Sequence, residues 1–423
     1  MITRSTRRAA AAVAALALVL AACGGDDDDT AGTDAPDAPA ATEASAATDA
    51  PAEPSGDPVI IAGLTSLTGS FGPWGLQVQD GMKLAVADVN AAGGVDGRPL
   101  ELMIVDDQSD PEEGASQLER IIEEGAVAVG GIISSGVAVP AAAIAEEEGV
   151  PLFLVKAGTP AALTAESRYT FRTCLPAAPM VPGPIIQYAE ANGITKIGGI
   201  VADYPWGQAI KAAMEETFAD SGVELQIEVA PLEEQDFTTY LRSLEGFGPE
   251  LIVATGHPPG SSAITAQSAD LGFEIPVTGA YTPFHLLAGG AGESATGRYS
   301  DFKCADFDSP EYADLATRYL EMSDQQRMDD DAVAGYAIVQ SVAEAVNEVG
   351  ADPAAVAEYL HANEFNPPGY AHPLSWTEWG ELAEAAPLFY VLGAGPAPEG
   401  LNDMGAWFPE LLNQTEPLTP FQP

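Results

Sequence analysis

The chain has 423 residues, 46% of them hydrophobic, enough for two ordinary domains with cores of their own. Its formal net charge is −47. A surface this acidic repels phosphate backbones, which argues against nucleic acid as a partner and fits solubility in a salty or crowded exterior.

Residues 1–23 read as a targeting segment. Arg4, Arg7 and Arg8 form a positive head, and Ala9 to Leu20 is an apolar stretch too short for an ordinary membrane span. Leu20-Ala21-Ala22-Cys23 closes it and resembles the lipobox of bacterial lipoproteins, whose cysteine is lipidated and becomes the mature N-terminus. The alternative is a plain secretory signal with an incidental cysteine. From Gly24 to Asp57 the chain has no Lys or Arg and little apolar beyond alanine, so it reads as a disordered acidic linker. Asp26 to Asp29 lacks the spacing of a calcium loop and reads as part of that tether. No later stretch reaches the roughly 20 apolar residues of a membrane helix.

Order begins at Pro58. Val59 to Leu64 is a buried-strand signal, Gly75 to Asn90 has helical periodicity, and Gly93-Gly94 breaks it. Strands at Leu100–Val105, Val127–Ile133 and Pro151–Val155 alternate with helices at Gly114–Glu124 and Val139–Glu148, the pattern of parallel βαβ units. The rhythm restarts after Phe171-Arg172-Thr173. Helices at Ile185–Ala191, Gln208–Ser221, Phe237–Leu244 and Ile264–Leu271 then alternate with strands at Ile197–Val201, Leu225–Val229, Leu251–Ala254 and Pro276–Thr278. Two such runs predict an α/β chain with two doubly wound parallel-sheet domains. Ser309–Tyr319 and Asp331–Val349 read as long helices after them.

The search for enzyme chemistry is negative. There is no G-x-x-x-x-G-K-[ST], no H-E-x-x-H and no G-x-S-x-G. His257, His285, His361 and His372 lack metal spacing, and Gly289 to Gly292 reads as a flexible loop with no strand before it. No enzyme activity, cofactor or metal is expected. The strand-to-helix turns are more informative, because ligands of open α/β sheets bind at the carboxyl ends of the strands. Ser66-Leu67-Thr68-Gly69-Ser70-Phe71-Gly72-Pro73-Trp74-Gly75 occupies the first such turn. Gly131 to Gly136 and Lys156-Ala157-Gly158-Thr159-Pro160 occupy two more. Hydroxyls there, with free N–H groups of the following helix, suit a carboxylate or amide; they also suit simple helix capping. Asp203 to Gly207, Gly256-His257-Pro258-Pro259 and Gly279-Ala280-Tyr281-Thr282 hold the equivalent places in the second run. Aromatic residues at three such ends suggest a lined cleft.

These segments, with Asn90 to Gly97, Asp106 to Pro111, Gln235-Asp236-Phe237 and Pro373-Leu374-Ser375-Trp376-Thr377-Glu378 in order, resemble the leucine/isoleucine/valine-binding family of periplasmic binding proteins. The likeness covers roughly Val59 to Leu382. It implies a type I, Venus-flytrap fold with three crossing strands, near Arg172–Pro176, Ser300–Ala305 and His372–Thr377. Lobe one would be residues 58–173 plus 304–371, and lobe two 174–303 plus 372–423.

It also implies an extracytoplasmic solute-binding protein of an ABC importer, monomeric, handing a small organic ligand to a permease with its ATPase. The alternative is the ligand-binding ectodomain of a sensor. The membrane would be met through the lipid on Cys23 alone. By position, Trp74, Ser135, Ala157, Thr159 and Trp206 match family ligand contacts, with Ser135 and Thr159 holding a carboxylate, and His257 and Tyr281 complete the candidate set. The acidic residues that receive a ligand ammonium in the family fall on Tyr281 and Ala177. The expected ligand is therefore an aromatic or otherwise planar carboxylate or amide, with a quaternary ammonium as runner-up. In this fold the crossing strands run side by side, so Cys174 and Cys304 come within disulfide reach; the alternative is two buried free thiols.

Overall fold

The computed structural model describes residues 53–255, 258–279, 282–395 and 407–423. Strand β1 (Val59–Thr65) pairs in parallel with β2 (Leu100–Asp106) from Val59 opposite Leu100 to Thr65 opposite Asp106. Between them runs helix α1 (Gly72–Ala91), with Pro73 in its first turn, where no intrahelical N–H is lost. Helix α2 (Pro111–Glu123) is capped by Asp110, whose side chain accepts from the Glu112 and Glu113 N–H groups. β3 (Ala128–Ile132), α3 (Ser135–Glu148), β4 (Leu152–Leu154) and β5 (Thr170–Arg172) complete a five-stranded sheet of order β2-β1-β3-β4-β5. α3 is capped by Ser134 and ends at Gly149 in the left-handed conformation.

The chain then builds α4 (Pro182–Ala191), β6 (Lys196–Ala202), α5 (Pro205–Phe218), β7 (Glu224–Ala230), α6 (Thr238–Phe247), β8 (Leu251–Thr255), α7 (Pro258–Asp270), β9 (Val277–Thr278), α8 (Phe284–Ala291) and β10 (Tyr299–Lys303). It returns to the first sheet through α9 (Pro310–Met322), α10 (Asp330–Val349) and α11 (Pro353–Ala362). β11 (Leu388–Ala394) and β12 (Trp407–Gln414) finally add to the second sheet, whose order is β12-β11-β10-β9-β8-β6-β7. Both last strands pair antiparallel, and all other paired neighbours in the two sheets are parallel. The chain thus passes between sheets three times, after Arg172, after Lys303 and after Ala362.

Each face of the first sheet is covered, as an all-parallel sheet requires. α2 and α3 bury Leu118, Ile121, Val137 and Ala141 against Leu64, Val129 and Leu154 on one face. α1 and the almost wholly buried α10 cover the other, approaching so closely that Gly335 lies against the Val78 carbonyl and Gly81 against that of Ala332. Gly289 and Gly290, expected in a flexible loop, instead close α8. A Cβ on Gly290 would lie 2.7 Å from Ser262 Cβ, so the glycine serves close packing of α8 on α7. No helix among the described residues is long and apolar enough to cross a membrane.

Candidate functional site

Both sheets carry the same doubly wound order. In the first, the order reverses between β1 and β3; in the second, the run β7-β6-β8-β9-β10 reverses between β6 and β8. Such switch points place a crevice at the carboxyl ends of the strands. Ser66 to Trp74, Ser134-Ser135 and Lys156 to Thr159 lie there in the first sheet, and Asp203 to Trp206 in the second.

The two crevices meet. The rings of Phe71 and Tyr204 lie 5.6 Å apart, and Ser70 Oγ donates to Glu233 Oε1. The Trp206 indole covers Gly158 so closely that an added Cβ would run into its six-membered ring. These contacts join the loop before α1 and the turn after β4 to the α5 start and the β7–α6 loop, which is a closed arrangement of the two lobes.

Within it, Ser135 is the first residue of α3, and its Oγ accepts from the Thr159 N–H at 3.3 Å, so those two predicted residues do come together. Ala157 and Thr159 are placed by Arg172, a fully buried guanidinium that donates to both carbonyls and pairs with Glu381 at 2.9 Å. Trp206 is buried, and its Nε1 donates to Thr255 Oγ1 at 2.8 Å. Trp74 is only 7% exposed and stacks obliquely on Phe71, 5.7 Å between centroids, yet its buried indole N–H has no partner. A buried donor left unpaired costs about 1–3 kcal/mol, which an acceptor on a bound molecule would relieve. His257, Tyr281 and Cys23 lie outside the described residues.

Behind the cleft sits a buried charge cluster that the sequence reading missed. Lys156 pairs with Asp330 at 2.7 Å and Asp331 at 3.5 Å; Lys303 lies 3.6 Å from Asp330 and 4.0 Å from Asp329; His285 Nδ1 lies 3.1 Å from Asp329. Burial pushes the Asp329 carboxyl up, but Lys303 and His285 more than reverse this and hold it far below the usual carboxylate range. Asp331 keeps a strongly raised value, because burial and its acidic neighbours outweigh Lys156. The signal available in sequence, three consecutive Asp at a helix start, reads first as capping and dipole matching. Glu233 carried no signal at all, since only the fold brings it to Ser70.

Cys174 and Cys304 form a disulfide, with Cα atoms 5.3 Å apart, inside the geometric limit of about 7 Å. It ties the first two passages between the sheets together. Asp330 lies close enough to both sulfurs to suggest a metal cluster, but sulfurs bonded to each other are not thiolate ligands.

The sequence profile of the periplasmic binding protein family matches residues 58–395. Leu/Ile/Val-binding protein homolog 2 of Brucella abortus is 29% identical over 296 residues, which is 69% of this chain and 79% of that protein. Among solved structures, a leucine-binding protein from Thermotoga maritima has a TM-score of 0.71 at 21% identity, over 83% of this chain and 98% of that one. A solute-binding protein of an R. palustris ABC transporter, in complex with benzoate, has 0.73 at 20% identity, over 86% and 98%. Sheet order, three passages and sequence profile agree: this chain belongs to the periplasmic binding protein family, with the type I fold and the extracytoplasmic location that membership implies.

Proposed function

We propose that this protein captures a small planar carboxylate or amide in the cleft between its lobes and delivers it to an ABC importer, without catalysing a reaction on it. The observation that carries the reading is the unpaired Trp74 indole N–H, buried beside aromatic residues at a closed interlobe contact. Ser135 and Thr159 supply hydroxyls, and the α3 N-terminus supplies N–H groups, for one end of the ligand. Trp206, with its own N–H already taken by Thr255, supplies a ring face. His257 and Tyr281 complete the set by position. Fully buried Ala177, where the family places an acid, offers nothing to an ammonium group. That removes a charge partner the Leu/Ile/Val-binding relatives would need, and favours a ligand like the benzoate of the R. palustris neighbour over an amino acid. The lobes are taken to divide at Thr173, Cys304 and Ala371.

Closure follows from differential affinity: a ligand that touches both lobes binds the closed form better and shifts the population toward it. Thermal-shift titration with leucine, valine, benzoate, 4-hydroxybenzoate, nicotinamide and betaine is the test. An aromatic acid or amide is expected to raise Tm most. A large shift with leucine and none with the aromatic compounds would overturn the reading. Lipidation is the second part of the proposal: Cys23→Ser is expected to move the chain from the membrane fraction to the medium or periplasm, and unchanged membrane retention counts against the anchor.

A further inference from the structure

On the side of the first lobe formed by the later turns of α1 and α10 lies a groove of about 470 Å³, within the size range of small-molecule sites. It is built from α1 and α10, which pack on the first sheet, and from the segment 365–368. Ser341 is one of its lining residues. That side chain is only 1% exposed, and its Oγ has no hydrogen-bond partner. A hydroxyl inside a helix commonly bonds back to the preceding turn; this one does not, which leaves an unmet hydrogen-bonding capacity beneath the floor of the groove.

The rest of the lining defines what that is. Gln340 and Asn366 offer amides, each both donor and acceptor, and Glu344 offers a carboxylate. Phe365, Pro367 and Pro368 form an apolar wall. Of the two carboxylates in the lining, Asp88 is already spent: Arg318 Nη1 donates to its Oδ1 at 2.7 Å and the Tyr336 hydroxyl to its Oδ2 at 2.7 Å. A cation would find one exposed carboxylate. An anion would meet Glu344, with Arg318 already bound to Asp88 and Asp314. Mixed donors and acceptors beside a flat apolar wall suit groups that are themselves both donor and acceptor on a ring with a C–H face.

We propose that this groove is a second ligand site, separate from the interlobe cleft, for a neutral carbohydrate. The test is ligand-observed saturation-transfer NMR on the full chain with trehalose, maltose and cellobiose at about 10 mM, where sites of millimolar affinity fill. Tetramethylammonium serves as the cation control. At least one disaccharide is expected to give a saturable signal that falls threefold or more in Ser341→Ala and in Asn366→Ala. Asn366 is exposed, so its variant keeps the test valid should the buried Ser341 variant misfold. No saturable sugar signal, a signal unchanged in Asn366→Ala, or saturable binding of tetramethylammonium alone each overturns the proposal.

Discussion

Arg172 shows how one side chain can set a binding loop. Its guanidinium is fully buried, and burial pulls its affinity for a proton down while Glu381 pulls it back up. With the Ala157 and Thr159 carbonyls it holds the turn after β4 in place from behind. Arg172→Met leaves Glu381 buried without its charge partner and is expected to cost about 3–5 kcal/mol in urea unfolding, whereas adding Glu381→Leu should restore much of that. A single variant as stable as the parent would show that the pair contributes nothing. Asp331 makes a prediction of opposite sign. Its carboxyl has a folded value raised above the ordinary 3.8, with burial the largest cause. Such an acid favours the fold below its unfolded pKa, and this advantage is lost as pH rises toward the folded value. Asp331→Asn should therefore be no better than the parent below pH ~3.8 and more stable at neutral pH. Lys156 still keeps Asp330 at 2.7 Å in that variant. A difference in Tm that does not change with pH would contradict it.

Elements were legible in the sequence where periodicity and punctuation agree. β1, β6 and β8 lie within a residue or two of their apolar runs, because each is a fully or largely buried strand with turn residues at its ends, and β2, only half-buried, still matches its own run. Helix starts came out late by as much as six residues, since Pro111, Pro205 and Pro258 open helices but read as breakers. The Gly pair hides α8 in the sequence, and Pro409 masks β12, which carries it on an edge, where a missing N–H costs least. The candidate site was legible as positions, because strand-to-helix turns mark it, but not as partners. The Ser70–Glu233 bond and the tilted contact of Phe71 with Tyr204 join segments that only the two-lobed fold brings together. The α1–α10 contact gives the test at this scale. Gly335→Ala should gain about 1 kcal/mol from helix propensity. Its Cβ would lie 2.5 Å from the Val78 carbonyl oxygen, however, and overpacking of that kind costs about 1–3 kcal/mol. A net loss of stability is expected in denaturant melts, and a gain would mean that the two helices can part.

Across the whole molecule, the two lobes are joined by three passages, one disulfide and a small set of contacts at the cleft. The disulfide and the Lys303–Asp330 pair sit where the passages run side by side, so they resist separation of the lobes without fixing the angle between them. Closure is then governed by the cleft contacts, and Gly158 is the position where one atom separates open from closed. A Cβ there meets the Trp206 ring of the opposite lobe and also lies 3.0 Å from a Leu175 methyl, a contact that a small shift absorbs. The backbone at Gly158 does not need a left-handed conformation, so alanine is tolerated by the lobe itself. Gly158→Ala should therefore leave the unfolding of the ligand-free protein nearly unchanged while disfavouring the closed form. Apparent affinity falls in proportion to the closed population, so a penalty of about 1.4 kcal/mol on closure weakens binding about tenfold. Small-angle scattering with the best ligand from the thermal-shift panel should show the parent contracting at a concentration where the variant stays extended. Trp206→Ala in the Gly158→Ala background removes the clash and should recover the contraction, at some loss of ring contact to the ligand. If Gly158→Ala closes on ligand as readily as the parent, Trp206 does not pack on Gly158 in the ligand-bound state, and the closed arrangement described for these lobes is not the one the ligand selects.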